Sequence, residues 1–235
     1  MASKPSAWRQ YKILLAKDLR REFHTKDMIT SMGVYALLVL IIYGAALGQT
    51  SSSLDVLQMS GGLLWALFVL TSLLGLNRSF SYEREAAALD GILLVPMDRG
   101  AIFLAKATSN FLFMLVVEVI ALPVFWFFFL ANTGLPASMP YVAVPLLLGT
   151  IGMAGVGTLL STITAATRGK DILLAVLFIP LIFPLLYACV TATTAVLVGS
   201  VDFMDAFFPS VALSAGYDVV MLLASWALYD FVISA

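Results

Sequence analysis

Four residues in long, nearly uncharged stretches of this 235-residue chain are the natural places to look for chemistry: Glu118, Cys189, Asp218 and Asp230. An ionisable group inside an apolar segment is costly to keep there, so each one marks a site, a partner or a helix end. Glu118 sits well inside its stretch and either lines a polar pathway, pairs with a neighbouring helix, or is a protonated, hydrogen-bonded structural group. Asp218 reads as wet or interfacial, in the outer third of the last stretch, and Asp230 as a charge at that stretch's inner end. Cys189 is the only cysteine. It has no intrachain partner, and no CxxC or His/Cys cluster suggests a metal site. The single histidine, His24, lies among charged residues near the N-terminus. No stretch therefore offers a histidine as a haem ligand. Ten methionines are the composition of apolar packing rather than of ligation.

Enzymatic equipment is missing from the pattern. Intramembrane proteolysis would call for paired aspartates in facing helices, a Ser/His pair or HExxH. An ion pump or rotary proton channel would need more carboxylates, or an arginine, in the bilayer. No GxxxxGK[ST] loop occurs, and Gly169-Lys170 has no upstream glycine at the required spacing. Any ATP-driven work must draw on an ATPase carried by another polypeptide. The net charge of −1 gives no basic field for nucleic acid.

The elements that must position these residues follow from composition. Hydrophobic residues make up 61% of the chain and charged ones 11%, against about 25% charged in ordinary soluble domains. Crossing a hydrocarbon core of about 30 Å takes about 20 apolar residues as a helix. Six stretches qualify: 28–48, 57–77, 107–131, 141–165, 172–198 and 211–233. A backbone in lipid must satisfy its own hydrogen bonds, so the expected fold is an all-α integral membrane bundle. Residues 1–27 are too long and too charged for a signal peptide. They form an expected first unit, and 28–235 a single six-helix permease-like domain.

Lysine and arginine set the orientation. All 13 fall in the N-terminal segment, the 78–106 region or the 166–171 loop. The loops near 49–56, 132–140 and 199–210 carry none. By the positive-inside rule both termini are expected in the cytoplasm.

Within 5–27, Trp8, Tyr11, Leu15, Leu19 and Phe23 recur at spacings of three and four, with Arg9, Lys12, Lys17, Arg20 and Arg21 elsewhere on the wheel. This is the pattern of an amphipathic helix lying on the cytoplasmic membrane surface, its basic groups near anionic headgroups. Residues 78–100 form the largest internal cytoplasmic segment. Glu83, Arg84, Glu85 and Asp90 flank an alanine run, and Ile92 to Val95 follow. A short helix across the mouth of the bundle is expected there, with the profile of a docking element. The fourth stretch carries Gly149, Gly152, Gly155, Gly157, Ser161 and Ala165 at spacings that let another helix approach closely, in this chain or in a second copy. Pro180 and Pro184 each remove a backbone donor, so the fifth helix is expected to kink or break.

Three stretches together resemble the haem exporter protein B (CcmB) family: GLLWALFVLTSLLGLNRSFSYEREAAALDGILLVPMDRGAIFLAK at 62–106, GTIGMAGVGTLLSTITAATRGKDILLAVLFIPLIFPLLYA at 149–188, and the basic N-terminal helix with its KDLRREF. The second includes PLIFPLL at Pro180 to Leu186. Family members carry an acidic residue, then glycine, then Leu-Glu before an LLLLP-like run. This chain has Ala86, Ala87, Ala88, Leu89 and Asp90, keeping an acid at Asp90 with no glycine ahead of Leu89.

The resemblance implies the ABC-2-like permease subunit of an ABC transporter for cytochrome c maturation in the bacterial inner membrane. It would form a homodimer and dock a CcmA-like ATP-binding subunit. It would work with CcmC-like and CcmD-like membrane proteins and pass haem to a CcmE-like periplasmic chaperone, with haem as a handled ligand and no covalent cofactor. Coupling would fall to 78–100 through Glu83, Arg84, Glu85 and Asp90, and gating to Pro180 and Pro184. An ABC-2-type permease for a lipid, polysaccharide or drug has the same topology, and a non-transporting assembly scaffold is a reading from a different class.

Overall fold

The computed structural model describes residues 6–47, 53–85, 98–130, 136, 138–165 and 169–234. Among them are seven α-helices: α1 (Ala7–Thr25), α2 (Asp27–Leu47), α3 (Ser53–Glu85), α4 (Arg99–Phe129), α5 (Ala143–Ala165), α6 (Lys170–Val198) and α7 (Phe203–Ser234). A 3-10 turn, Met139–Val142, leads into α5. The helices α2 to α7 supply six segments long and apolar enough to cross a membrane, at Asp27–Ala46, Val56–Ser79, Arg99–Phe129, Met139–Thr164, Asp171–Val198 and Phe203–Val232.

Four of these match the sequence reading closely, and two begin about eight residues earlier than expected. Arg99 and Lys106 had placed the third start at residue 107. Both cations are paired in the fold, so α4 begins at once from its cap Asp98, whose side chain accepts from the Gly100 N–H at 3.0 Å. Pro209 lies inside α7 without ending it, so that helix starts at Phe203 rather than 211.

The fully described links are short. A single residue, Lys26, joins α1 to α2; its φ of 54° is left-handed, and its N–H closes on the Glu22 carbonyl at 2.7 Å. Gly169 and Gly199, at φ 81° and 62°, bracket α6 in conformations that a side chain resists.

The core is centred on α3 and α5, the inner helices, with α2, α4, α6 and α7 around them. Trp65 is its hub. Its Nε1 donates to Thr193 Oγ1 on α6 at 3.0 Å, and its six-membered ring rests on Gly149 of α5, where a Cβ would collide with it. Outward positions such as Val34, Ile41, Phe127, Phe183, Val220 and Leu223 are exposed apolar side chains, the surface expected to meet lipid.

The Arg78 Nη1 donates to the Asp27 carbonyl at 3.2 Å, and Arg99 pairs with Asp230 at 3.0 Å. The end of α3, the starts of α2 and α4 and the end of α7 therefore meet at one end of the bundle. This is the end where α1 docks.

Candidate functional site

α1 is held by its polar face. Gln10, Leu14, Asp18 and Glu22, four apart, are the buried residues of this helix. Asp18 forms an ion pair with the Lys106 ammonium of α4 at 2.8 Å, with both side chains almost fully enclosed. The Gln10 Oε1 accepts from the Asp98 N–H at 2.8 Å, and the Glu22 Oε1 from the Ile29 N–H at 2.8 Å. Tyr11 donates to Thr108 Oγ1 at 3.3 Å. Leu14 packs with Ile102, Phe103, Ala105, Leu159 and Tyr229 in a small second core.

The apolar stripe read from the sequence faces the other way. Trp8 and Phe23 are exposed, and Tyr11, Leu15 and Leu19 are half-buried. Sequence reasoning missed the Gln10/Asp18/Glu22 set. Its signal was the four-residue spacing of polar groups on a helix otherwise read as apolar against basic.

The segment assigned to coupling is described only at its two ends, and 86–97, where the short helix is expected, lies outside the described residues. Its first residues extend α3 as far as Glu85, and Arg99 and Gly100 already belong to α4. Glu83, Arg84 and Glu85 lie in the last turns of α3, and Asp90 lies outside the described residues. The segment enters α4 at Asp98, the residue Gln10 holds.

In the membrane interior Glu118 is buried, and its Oε2 lies 2.6 Å from Thr150 Oγ1 on α5. That hydroxyl also lies 2.7 Å from the Leu146 carbonyl. A hydroxyl has one hydrogen and a carbonyl only accepts, so both contacts are satisfied together when the carboxyl supplies the second hydrogen.

Asp218 departs from the wet position expected of it. With α7 starting early, it falls near the middle of the helix, buried to 4% exposure. Neither carboxylate oxygen has a hydrogen-bond partner among the described residues. It packs beside Leu185, at the place a Cβ on Gly152 would occupy. Cys189 is fully buried, with its Sγ 3.6 Å from both the Ser214 hydroxyl and the Pro145 carbonyl. Asp230, by contrast, is the exposed helix-end charge expected.

The four glycines of α5 face neighbours within this chain. A Cβ at Gly149 would meet Trp65, at Gly152 Asp218 and Leu185, at Gly155 Leu222, and at Gly157 Leu76. α6 is a single unbroken helix through Pro180 and Pro184, both of which face outward. Between them the Leu181 carbonyl accepts a 2.8 Å bond from the Tyr217 hydroxyl. Among the described residues no group of three His, Cys, Asp or Glu could hold a metal ion.

Six long apolar helices around a small polar interior, with a polar-faced helix clamped at one end, define a polytopic α-helical membrane protein. The chain belongs to the CcmB protein family, whose pattern matches residues 9–232. It is 30% identical to heme exporter protein B of Pseudomonas aeruginosa over 177 residues, covering 75% of this chain and 77% of that protein. The Bradyrhizobium diazoefficiens heme exporter protein B is 31% identical over 204 residues, 86% of this chain and 88% of that one. That of Rhodobacter capsulatus is 28% identical over 173 residues, 74% and 77% of the two chains.

Proposed function

We propose that this chain is the membrane-spanning permease subunit of an ABC transporter for cytochrome c maturation. It couples ATP hydrolysis on a separate subunit to haem export, or to release of a haem-loaded periplasmic chaperone. The observation that carries the reading is family membership across residues 9–232. The sequence supports it in a second way, since it has no phosphate-binding loop and the energy source must be a partner. Haem is cargo in this reading, not a resident group.

The working unit is a homodimer in the bacterial inner membrane with both termini cytoplasmic. α1 lies at the cytoplasmic surface, and residues 28–235 form one permease domain. The 78–100 segment, with Glu83, Arg84, Glu85 and Asp90, receives the ATP-binding subunit.

A route from that surface to the bilayer interior is supported by the contacts of α4. The segment enters α4 at Asp98, α1 grips α4 through Gln10 and Asp18, and the same helix carries Glu118 to Thr150 of α5. Motion imposed on the segment would move α1 and the first turns of α4 as one body and shear the Glu118–Thr150 contact. Pro180 and Pro184 are the places where α6 would flex in response. The coupling element earns that role only if both partners bias its position.

The test is co-purification from mild detergent. The ATP-binding subunit is expected to come down with the wild-type chain, and its ATPase to be stimulated. The Glu83→Ala/Arg84→Ala/Asp90→Ala variant should lose one or both. Intact binding and stimulation in that variant would remove the coupling assignment. Normal cytochrome c maturation after deletion of the gene, with no ATPase bound, would favour the scaffold reading instead.

A further inference from the structure

We propose that Asp218 is a proton-binding site in the membrane interior, loaded in the closed bundle and exchanging with water through the seam between α5 and α7. That seam is polar for most of its length. Every buried residue of α7 from Ser210 to Tyr229 is polar: Ser210, Ser214, Asp218, Ser225 and Tyr229. Spacings of four, four, seven and four put them on one face of the helix. Yet α7 is the least buried of the six candidate spans, with most of its surface turned outward. Serines let helices approach closely in lipid, but packing does not ask for a carboxyl among them.

Asp218 sits against Gly152 of α5, beside Leu185 of α6. Among the described residues it has neither an ion pair nor a hydrogen bond. An ionised carboxylate there would be a buried charge with no compensation, and such a group takes up a proton instead. The helices packed around it bring no cation to hold the charged form. α6 brings Cys189, with its Sγ 3.6 Å from the Ser214 hydroxyl, and α5 brings no titratable group. α4 brings Glu118, bonded to Thr150, and its Lys106 and Arg99 are held by Asp18 and Asp230 near its start. Tyr217, beside it on α7, gives its hydroxyl to the Leu181 carbonyl. Asp218 is therefore carried as the neutral acid, with its O–H unspent.

The way out leads toward the α1 end. In the other direction the Ser214 hydroxyl is already given to the Ser210 carbonyl at 2.9 Å. Toward α1, two turns or about 10 Å along the helix, the enclosed Ser225 hydroxyl has no hydrogen-bond partner among the described residues. Between the two, Leu222 is seated on Gly155. A shift of α7 that lifts Leu222 from Gly155 makes room for water between two groups able to bond it. The Asp218 O–H bond then breaks, its electron pair stays on the carboxylate and the proton passes to water. Closing the seam again requires the proton back. The site follows from the fold and does not depend on the transport reading.

Infrared spectroscopy of the full chain in lipid bilayers, wild type minus Asp218→Asn, tests this. A neutral carboxyl with no hydrogen bond absorbs at higher frequency than one bonded as Glu118 is. One such band is expected at neutral pH, retained in Glu118→Gln and lost as the pH is raised. Wild-type spectra at neutral minus alkaline pH report the same band without any variant. In deuterium oxide it should move to lower frequency as O–H becomes O–D, and Ser225→Ala should slow that shift about tenfold, the size of one lost hydrogen bond. Absence of the band from the wild type at neutral pH, with the carboxylate ionised or holding a metal cation, overturns the proposal. So does a band that deuterium oxide never shifts, the mark of a sealed structural acid, or one that shifts at the wild-type rate in Ser225→Ala.

Discussion

Asp18 and Lys106 are the one ion pair in the described residues whose two side chains are both nearly inaccessible to water. Taking such groups out of water is expensive, and their mutual attraction returns that cost only while both are present. Removing one partner takes the nearest counter-ion from a buried charge, at up to about 3–5 kcal/mol, with Lys17 at 3.5 Å from Asp18 offsetting part of the loss when Lys106 goes. Lys106→Met is therefore expected to lower the melting midpoint in detergent sharply, and Asp18→Leu/Lys106→Met to recover most of the loss. A double variant no better than the single one would show that the pair does not act as a unit. Glu118 gives a different outcome. An amide can donate the hydrogen that the Thr150 contact calls for, so Glu118→Gln should fold and melt like the wild type. Any loss of cytochrome c maturation in that variant would then report on the pathway rather than on folding. Full maturation in Glu118→Gln would take the residue out of the pathway.

At the scale of elements, much of the fold was legible in the sequence. Long uncharged runs in lipid have only one way to satisfy their backbone, so the six helices followed directly from composition. What misled was charge near helix ends. Arg99 and Lys106 looked like boundaries because a lone cation cannot enter lipid, but their partners Asp230 and Asp18 are 131 and 88 positions away in sequence, beyond the reach of local pattern. Long-range pairing also sets the rotation of α1, whose Gln10, Asp18 and Glu22 turn inward while Trp8 and Phe23 look outward. The glycines of α5 were legible as a smooth face, but the identity of the neighbour was not. Trp65 and Asp218 come from α3 and α7, and only packing brings them to α5. Filling that face should act as overpacking, at about 1–3 kcal/mol for a well-packed core. Gly149→Leu is expected to lower the melting midpoint, whereas Gly33→Leu, with nothing within 4 Å of its added Cβ, should leave it near wild type. Equal midpoints for the two would mean that the Trp65–Gly149 contact is not tight.

For the whole molecule, the distribution of charge makes the two ends of the bundle unlike. The α1 end holds the described basic residues, with Lys106 reaching in to Asp18 and Arg99 out to Asp230. The opposite end, at the link between α6 and α7, exposes Ser200, Val201, Asp202 and Asp205 and has no lysine or arginine in 199–210. Cationic loops resist translocation, so the α1 end is expected in the cytoplasm. The chain is suited to a direct test, because its one thiol, Cys189, is fully buried and should stay silent to a membrane-impermeant maleimide. Ser6 and Ser200 are both exposed, one at each end. Ser6→Cys should label in inverted membrane vesicles and not in intact spheroplasts, and Ser200→Cys the reverse. The opposite pattern would place the 78–100 segment outside the cell, away from any cytosolic ATPase, and the transporter reading would fall with it. Labelling of both thiols from one side would instead contradict the five crossings between them, since Ser6 precedes the first span and Ser200 follows the fifth.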